Sequence, residues 1–269
     1  MDKKRHMFAV CAYKESEYLE RCVKTLCAQT VKSDIIICTS TPNAYIDAIA
    51  KKYDIPVYVR DGESDIRDDW NFAYNTADAS FVTVAHQDDE YSKHYVEALY
   101  EKIDRYVKKY GNTSDIIMFL TDYLPIKAGK RGPRDINCKI RRLLRIPLKS
   151  MCLSRCRFVR RMTLSLGNSI VCPSVTYNKD RFGDDIFTSE LKFNIDWDTF
   201  LKLAQEKGAF LYADKPLTFY RVHDGATSKE FIENHGREIE DTAMFRKFWP
   251  KWVVKLIMKF YKKAYDTYE

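Results

Sequence analysis

The sequence predicts an α/β fold: a mostly parallel sheet with helices on both faces. Three observations carry this. The first 120 residues hold short, continuous apolar runs; the segments between them have helical periodicity; and polar residues follow several of the runs directly. A strand that is apolar on both sides is buried on both sides, and parallel neighbours need a crossover that a helix supplies.

The elements follow in order. MFAVCAY (7–13) reads as a strand. In SEYLERCVKTLCAQT, Leu19, Cys22, Val23, Leu26 and Cys27 keep the i, i+3, i+4 rule of a helix. DIIIC (34–38) is a strand, 43–52 a helix, VYV (57–59) a strand, 68–77 a helix and FVTVA (81–85) a strand. Val96, Leu99, Tyr100, Ile103 and Val107 mark the next helix, and DIIMFL (115–120) another buried strand. Residues 127–161 are expected to form a basic loop broken by Pro133 and Pro147. SIVCPSVTYNKD has a strand pattern. IDWDTFLKLAQEKG (195–208) is a helix ending at Gly208 with Asp196 as a candidate cap, and AFLYAD and LTFYRVH are two further strands. The tail WPKWVVKLIMKFYKKAY enters a helix at Pro250.

At 269 residues and 45% apolar composition, the chain can bury one large core. We expect one domain over 1–228, with halves at 1–122 and 162–228 around the basic loop, and a helical amphipathic extension over 229–269. The net charge of +7 is local: residues 127–161 carry thirteen Lys and Arg against Asp135 alone, leaving −5 elsewhere. Eight scattered cysteines, with no CxxC pair and no His/Cys cluster at zinc spacing, point to free thiols in a reducing compartment. The N-terminal apolar run is too short for a signal peptide, and no window reaches the roughly 18 apolar residues of a spanning helix. The expected location is therefore cytoplasmic, peripheral at the inner face of the plasma membrane.

Ligands of such sheets bind at the carboxyl ends of the strands. Cys11 to Glu15, Cys38 to Thr41 and His86 to Glu90 all follow strands, so they share one edge. There the run His86, Gln87, Asp88, Asp89, Glu90 sets three carboxylates side by side. It reads either as a solvated turn or as a divalent cation site completed by a substrate's phosphates. Asp196 and Asp198 begin a helix, whose dipole favours their ionised forms; Asp196 is a cap or a general base. His223 is a surface or core histidine, or it completes a metal site.

Read together and in this order, AVCAYKESEYLERCVKTLCAQTV, HQDD and DWDTFLKLAQEKGAFLYADKPLTFYRVHDGATS resemble a family 2 glycosyltransferase, inverting and of GT-A fold, over nearly the whole chain. The resemblance implies a nucleotide-sugar donor, expected to be UDP-linked, and Mn²⁺ or Mg²⁺ as cofactor. It implies that Tyr13 and Glu15 line the donor site and that Asp88 is a metal ligand with Asp89 beside it. It further implies that Asp196 is the catalytic base with Asp198 as its neighbour, and that Arg221 and His223 belong to a segment closing over the diphosphate and metal. This chain departs from the family pattern at three places. Thr39 and Ser40 stand where relatives carry an acidic pair, His86 replaces the first acid of the metal motif, and DDWNFAYNTA keeps only Asn71 of the usual Ala-Arg-Asn.

The basic segment interleaves Arg and Lys with Leu, Ile, Met and Phe but has no nucleic-acid reading motif, so no specific nucleic acid is expected. On a helical wheel of the tail, Lys251, Lys255, Lys259, Lys262 and Lys263 oppose Val253, Leu256, Ile257, Phe260 and Ala264. That pattern suits an anionic membrane surface, or packing on its own domain or on a second copy through the C-terminal helices. The acceptor expected is a glycan on polyprenyl diphosphate, as in bacterial capsule, exopolysaccharide or O-antigen assembly. Two rivals stand: a sugar nucleotidyltransferase, which wants a glycine-rich loop that AYKESEY lacks, and a non-catalytic scaffold of the same fold.

Overall fold

A computed structural model describes residues 3–223 and 236–261 of the chain. Its nine strands form one sheet: β1 (Lys4–Ala12), β2 (Asp34–Thr39), β3 (Val57–Val59), β4 (Ala79–His86), β5 (Glu90–Tyr91), β6 (Ile116–Lys127), β7 (Lys130–Arg131), β8 (Val175–Asn178) and β9 (Ala209–Val222). The order is β3-β2-β1-β4-β8-β6-β9-β5, with β7 pairing off β6. β1 is parallel to β2 and β4, β2 to β3, and β6 to β9, while β8 runs antiparallel between β4 and β6.

The helices are α1 (Leu19–Cys27), α2 (Ala44–Tyr53), α3 (Ile66–Thr76), α4 (Tyr95–Tyr110), α5 (Ile136–Arg145), α6 (Arg157–Thr163), α7 (Lys179–Phe182), α8 (Ile195–Ala204), α9 (Gly236–Arg246) and α10 (Lys251–Tyr261). α1 and α4 cover one sheet face; α3, α8 and α10 cover the other, so the core is two apolar layers split by the strands. Both sides of β1 are buried because alternate residues serve different layers: Phe8 and Val10 face α1, Met7 and Ala9 face α3.

Local chemistry sets the boundaries. Asp65 caps α3 by accepting from the N–H groups of Arg67 and Asp68, so that helix starts at Ile66, before the expected 68. Asn43 caps α2 at Ile46. α8 ends at Ala204, ahead of Gly208, and its N-cap is Asn194; Asp196 sits inside the first turn. The two strands expected over 209–223 are one long strand, β9, which keeps its pairing with β6 through register shifts near Asp122.

The basic segment departs most from expectation: it is helical over α5 and α6, with 3-10 turns between them. Its cations face acids from the sheet. Arg145, fully buried, donates to Asp122 at 2.5 Å and to the Ser169 carbonyl at 2.7 Å, and Arg134 reaches the other Asp122 oxygen at 2.8 Å. Arg142 and Lys149 share Asp214. Arg160 is buried against the carbonyls of Ser154, Ala204, Glu206 and Gly208. Much of the local positive charge therefore closes the fold. All eight cysteines are free thiols.

Candidate active site

The register puts three strand ends together, with Cys11 opposite Cys38 on one side and His86 on the other. Between this edge, the loop around Asn168 to Pro173, the start of α8 and the end of β9 lies a cavity of about 1430 Å³. Sites for drug-sized ligands span roughly 300–1,000 Å³, so there is room here for two substrates.

The acid triplet divides its labour. Asp88 lines the cavity; Ser16 donates to its Oδ1 at 3.3 Å, and His223 Nε2 lies 3.3 Å from its Oδ2. Asp89 turns inward and accepts the Arg221 N–H at 2.8 Å, and burial pushes its carboxyl well above the usual range. Glu90 is buried among Arg21, Arg131 and Arg221; burial raises its pKa, but the hydrogen bonds from Arg131 and Arg21 prevail and lower it. Asp88 and Asp89 both line the cavity, while Asp89, through the Arg221 N–H, and Glu90, through its arginines, also hold the turn.

Arg221 belongs to that holding. Its Nε donates to the Asp88 carbonyl at 2.8 Å and one terminal nitrogen to Glu90 at 3.0 Å, so Arg221, which also lines the cavity, clamps the acidic turn. Tyr18 lies under the Arg221 guanidinium (4.4 Å to the ring centre) and against the His223 ring at 5.0 Å. The segment expected to close over the diphosphate continues into 224–228, outside the described residues.

The donor-side residues fall in three groups. Tyr13 and Glu15 line the cavity, and Gln87 pins their loop by accepting the Tyr13 N–H at 3.0 Å and donating to its carbonyl at 3.1 Å. Lys14 takes a left-handed φ of 51° and donates its N–H to Thr41. Thr39 and Ser40 lie off the cavity wall. Thr39 accepts the Thr41 N–H at 3.0 Å, and Ser40 donates to Asp69 at 3.0 Å. Asp69 does line the cavity, held also by Arg60 at 2.8 Å and Ser64 at 2.7 Å. A carboxylate thus reaches this corner from α3 instead of β2, and spacing along the strand gave no sign of it. Asn71 is likewise off the wall: its amide both donates to and accepts from the Phe187 backbone at 2.9 Å, which makes it a clamp on the chain before α8. His86 stacks on Trp70 at 4.9 Å with its Nε2 buried, and burial lowers its pKa to about 4, so the ring is neutral at physiological pH.

Across the cavity stands Asp196. Asn168 donates to its Oδ2 at 2.7 Å and the Trp197 N–H to its Oδ1 at 2.7 Å. Burial raises its pKa to about 6, against these hydrogen bonds and the Arg141 charge. A carboxylate oriented by two donors and tuned near neutrality suits a general base. Asp198 points away, into ion pairs with Lys247 at 2.5 Å and Lys202 at 3.0 Å.

Asp88 and His223 also pass a chemical test for a cation. A carboxylate and an imidazole face each other in the cavity, and the imidazole Nε2 is buried without a hydrogen bond. Among the described residues no group of three or more His, Cys, Asp or Glu could hold a metal, so the pair would need oxygens from a ligand, as Mg²⁺ and Mn²⁺ sites on phosphates use.

The sequence model of Glycosyl transferase family 2 matches residues 8–165. Among solved structures, TarS 1-349 of S. aureus in complex with UDP-GlcNAc is similar over 94% of this chain and 70% of that one (15% identity, TM-score 0.57). The mannosyltransferase PcManGT of Pyrobaculum calidifontis, in complex with GDP-Man and Mn²⁺, is similar over 92% and 66% (12% identity, TM-score 0.59). No curated protein matches the sequence.

Proposed function

The chain belongs to glycosyl transferase family 2, and within it we propose an inverting, metal-dependent enzyme that moves a sugar from a UDP-linked donor to a glycan hydroxyl. The observation that carries this reading is one cavity holding both the Asp88–His223 pair and the recessed, pKa-raised Asp196. Neighbours in complex with UDP-GlcNAc and with GDP-Man and Mn²⁺ support the donor class.

In this mechanism Asn168 and the Trp197 N–H orient Asp196, which accepts the acceptor's hydroxyl proton as that oxygen bonds to the anomeric carbon. The bond to the diphosphate breaks on the opposite face and its electron pair leaves with the nucleotide, so one displacement inverts the configuration. Asp88 and His223 would hold Mn²⁺ or Mg²⁺, which supplies charge neutralisation for the leaving diphosphate. Glu90, Asp89 and Arg221 keep the acidic turn in register, and neutral His86 on Trp70 forms part of the donor wall. The acceptor is a polyprenyl-diphosphate-linked glycan of a bacterial surface polysaccharide, in keeping with the basic, apolar helices α5 and α10.

Thermal shift with UDP, TDP, GDP and CMP, each with and without Mn²⁺, tests the donor site. A Mn²⁺-dependent rise with UDP is expected; no rise with any nucleotide, alone or with metal, would sink the reading.

A further inference from the structure

Two helices turn apolar stripes outward. On α5, Ile136, Ile140 and Leu143 recur at i, i+4 and i+7 and are 62%, 48% and 64% exposed. On α10, Trp252, Leu256 and Phe260 recur at i, i+4 and i+8 and are 73%, 54% and 63% exposed. The helical wheel of the tail had put Leu256, Ile257 and Phe260 on one face; in the fold Val254, Ile257 and Met258 pack inward instead and leave this second stripe bare.

Charge accompanies both stripes. From Ile136 to Leu166, and from Lys247 to Tyr261, the chain has no acidic residue, and Lys139, Lys251, Lys255 and Lys259 are exposed beside the apolar side chains. The second stretch meets the far end of the first, past α6: Trp249 Nε1 donates to the Ser165 carbonyl at 2.7 Å, and Tyr261 packs against Gly167 just beyond it, where an added Cβ would sit 3.0 Å from its ring. Each helix also contributes one residue to the cavity lining, Arg141 from α5 and Tyr261 from α10.

We propose that α5 and α10 form one docking face that lies on a bilayer surface containing anionic phospholipid. Apolar stripes flanked by lysines enter the headgroup boundary, where Trp252 suits the interface and the lysines meet lipid phosphates. A second copy fits this face poorly, because pairing it with itself sets lysines against lysines. No described helix is long and apolar enough to cross a membrane. The inference deepens the lipid-linked acceptor proposed above and rests on that reading for its purpose, since Arg141 and Tyr261 bring the cavity to the docked face.

Co-sedimentation of the full chain, without donor, with phosphatidylglycerol/phosphatidylcholine vesicles and with phosphatidylcholine vesicles separates this proposal from the transferase reading. Binding to the anionic vesicles at low salt is expected. It should fall about tenfold in Leu143→Glu/Phe260→Glu, and likewise in Lys255→Glu/Lys259→Glu, which leaves the apolar stripes intact. Melting temperature checks that both variants fold. No binding to anionic vesicles, equal binding by wild type and both variants, or a concentration-dependent dimer that the substitutions dissolve would overturn it. Retained UDP binding in a protein that ignores vesicles would sink the membrane face alone.

Discussion

Asp196 joins two effects that pull apart. Burial disfavours its charge, yet Asn168 and the Trp197 N–H orient the ionised form, and the balance falls at a pKa of about 6. As the proposed base it must be ionised, so kcat/KM should lose activity on an acid limb near pH 6. Asp196→Asn should lower kcat by about 10²–10⁴. Stability runs the other way. A carboxyl whose folded pKa is raised favours the fold fully below its unfolded pKa, near 3.8, and that contribution is lost as pH rises through about 6. The Asn variant should therefore match or exceed the wild-type melting temperature near neutral pH and lose that margin in acid; a less stable variant at neutral pH would show the hydrogen bonds outweighing burial. Asn71 poses the converse case. With its amide on Phe187, Asn71→Ala should cost about 1–3 kcal/mol in urea unfolding, while UDP affinity of the folded protein stays near wild type.

Among the elements, β1 to β4 and β6 are legible because each apolar run and each intervening period is a local signal, whereas the two-residue β5 (Glu90–Tyr91) begins inside the acidic run and has no such signal. α5 and α6 are not, since a dense basic stretch reads as solvated until its partners are known. Those partners, Asp122, Asp214 and the carbonyls at 204–208, come from other parts of the chain, and no window of sequence shows them. The site divides similarly. Asp88 and Asp196 stand out by motif, whereas Asp69 reaches the cavity from α3 and Asn168 from an irregular loop, placed only by tertiary packing. Gly208 is a case the sequence caught for a partial reason. It does follow α8, but its φ of +138° and an ideal Cβ 2.2 Å from the Asp115 carbonyl oxygen also let β9 start beside β6. Gly208→Ala should destabilise by more than about 1 kcal/mol, read by urea unfolding; a neutral result would mean this turn relaxes without disturbing the β6–β9 pairing.

At the scale of the whole molecule, the cavity has walls from both halves: the ends of β1 and β4 on one side, α8 and the end of β9 on the other. Asp88 comes from the first half and His223 from the second, 3.3 Å apart, so whatever joins them ties the halves together. A cation with only these two protein ligands binds weakly alone, and a diphosphate next to an uncompensated carboxylate is repelled. Each should therefore raise the affinity of the other by the same factor, as linkage requires. UDP and Mn²⁺ together are expected to raise the melting temperature by more than the sum of their separate shifts. Asp88→Asn should abolish that excess while keeping the nucleotide-only shift, because Asp69, Trp70 and the Tyr13 loop are untouched. An excess that survives in Asp88→Asn would place the cation elsewhere, and additive shifts in the wild type would mean that the halves are already locked by Arg221 on the acidic turn.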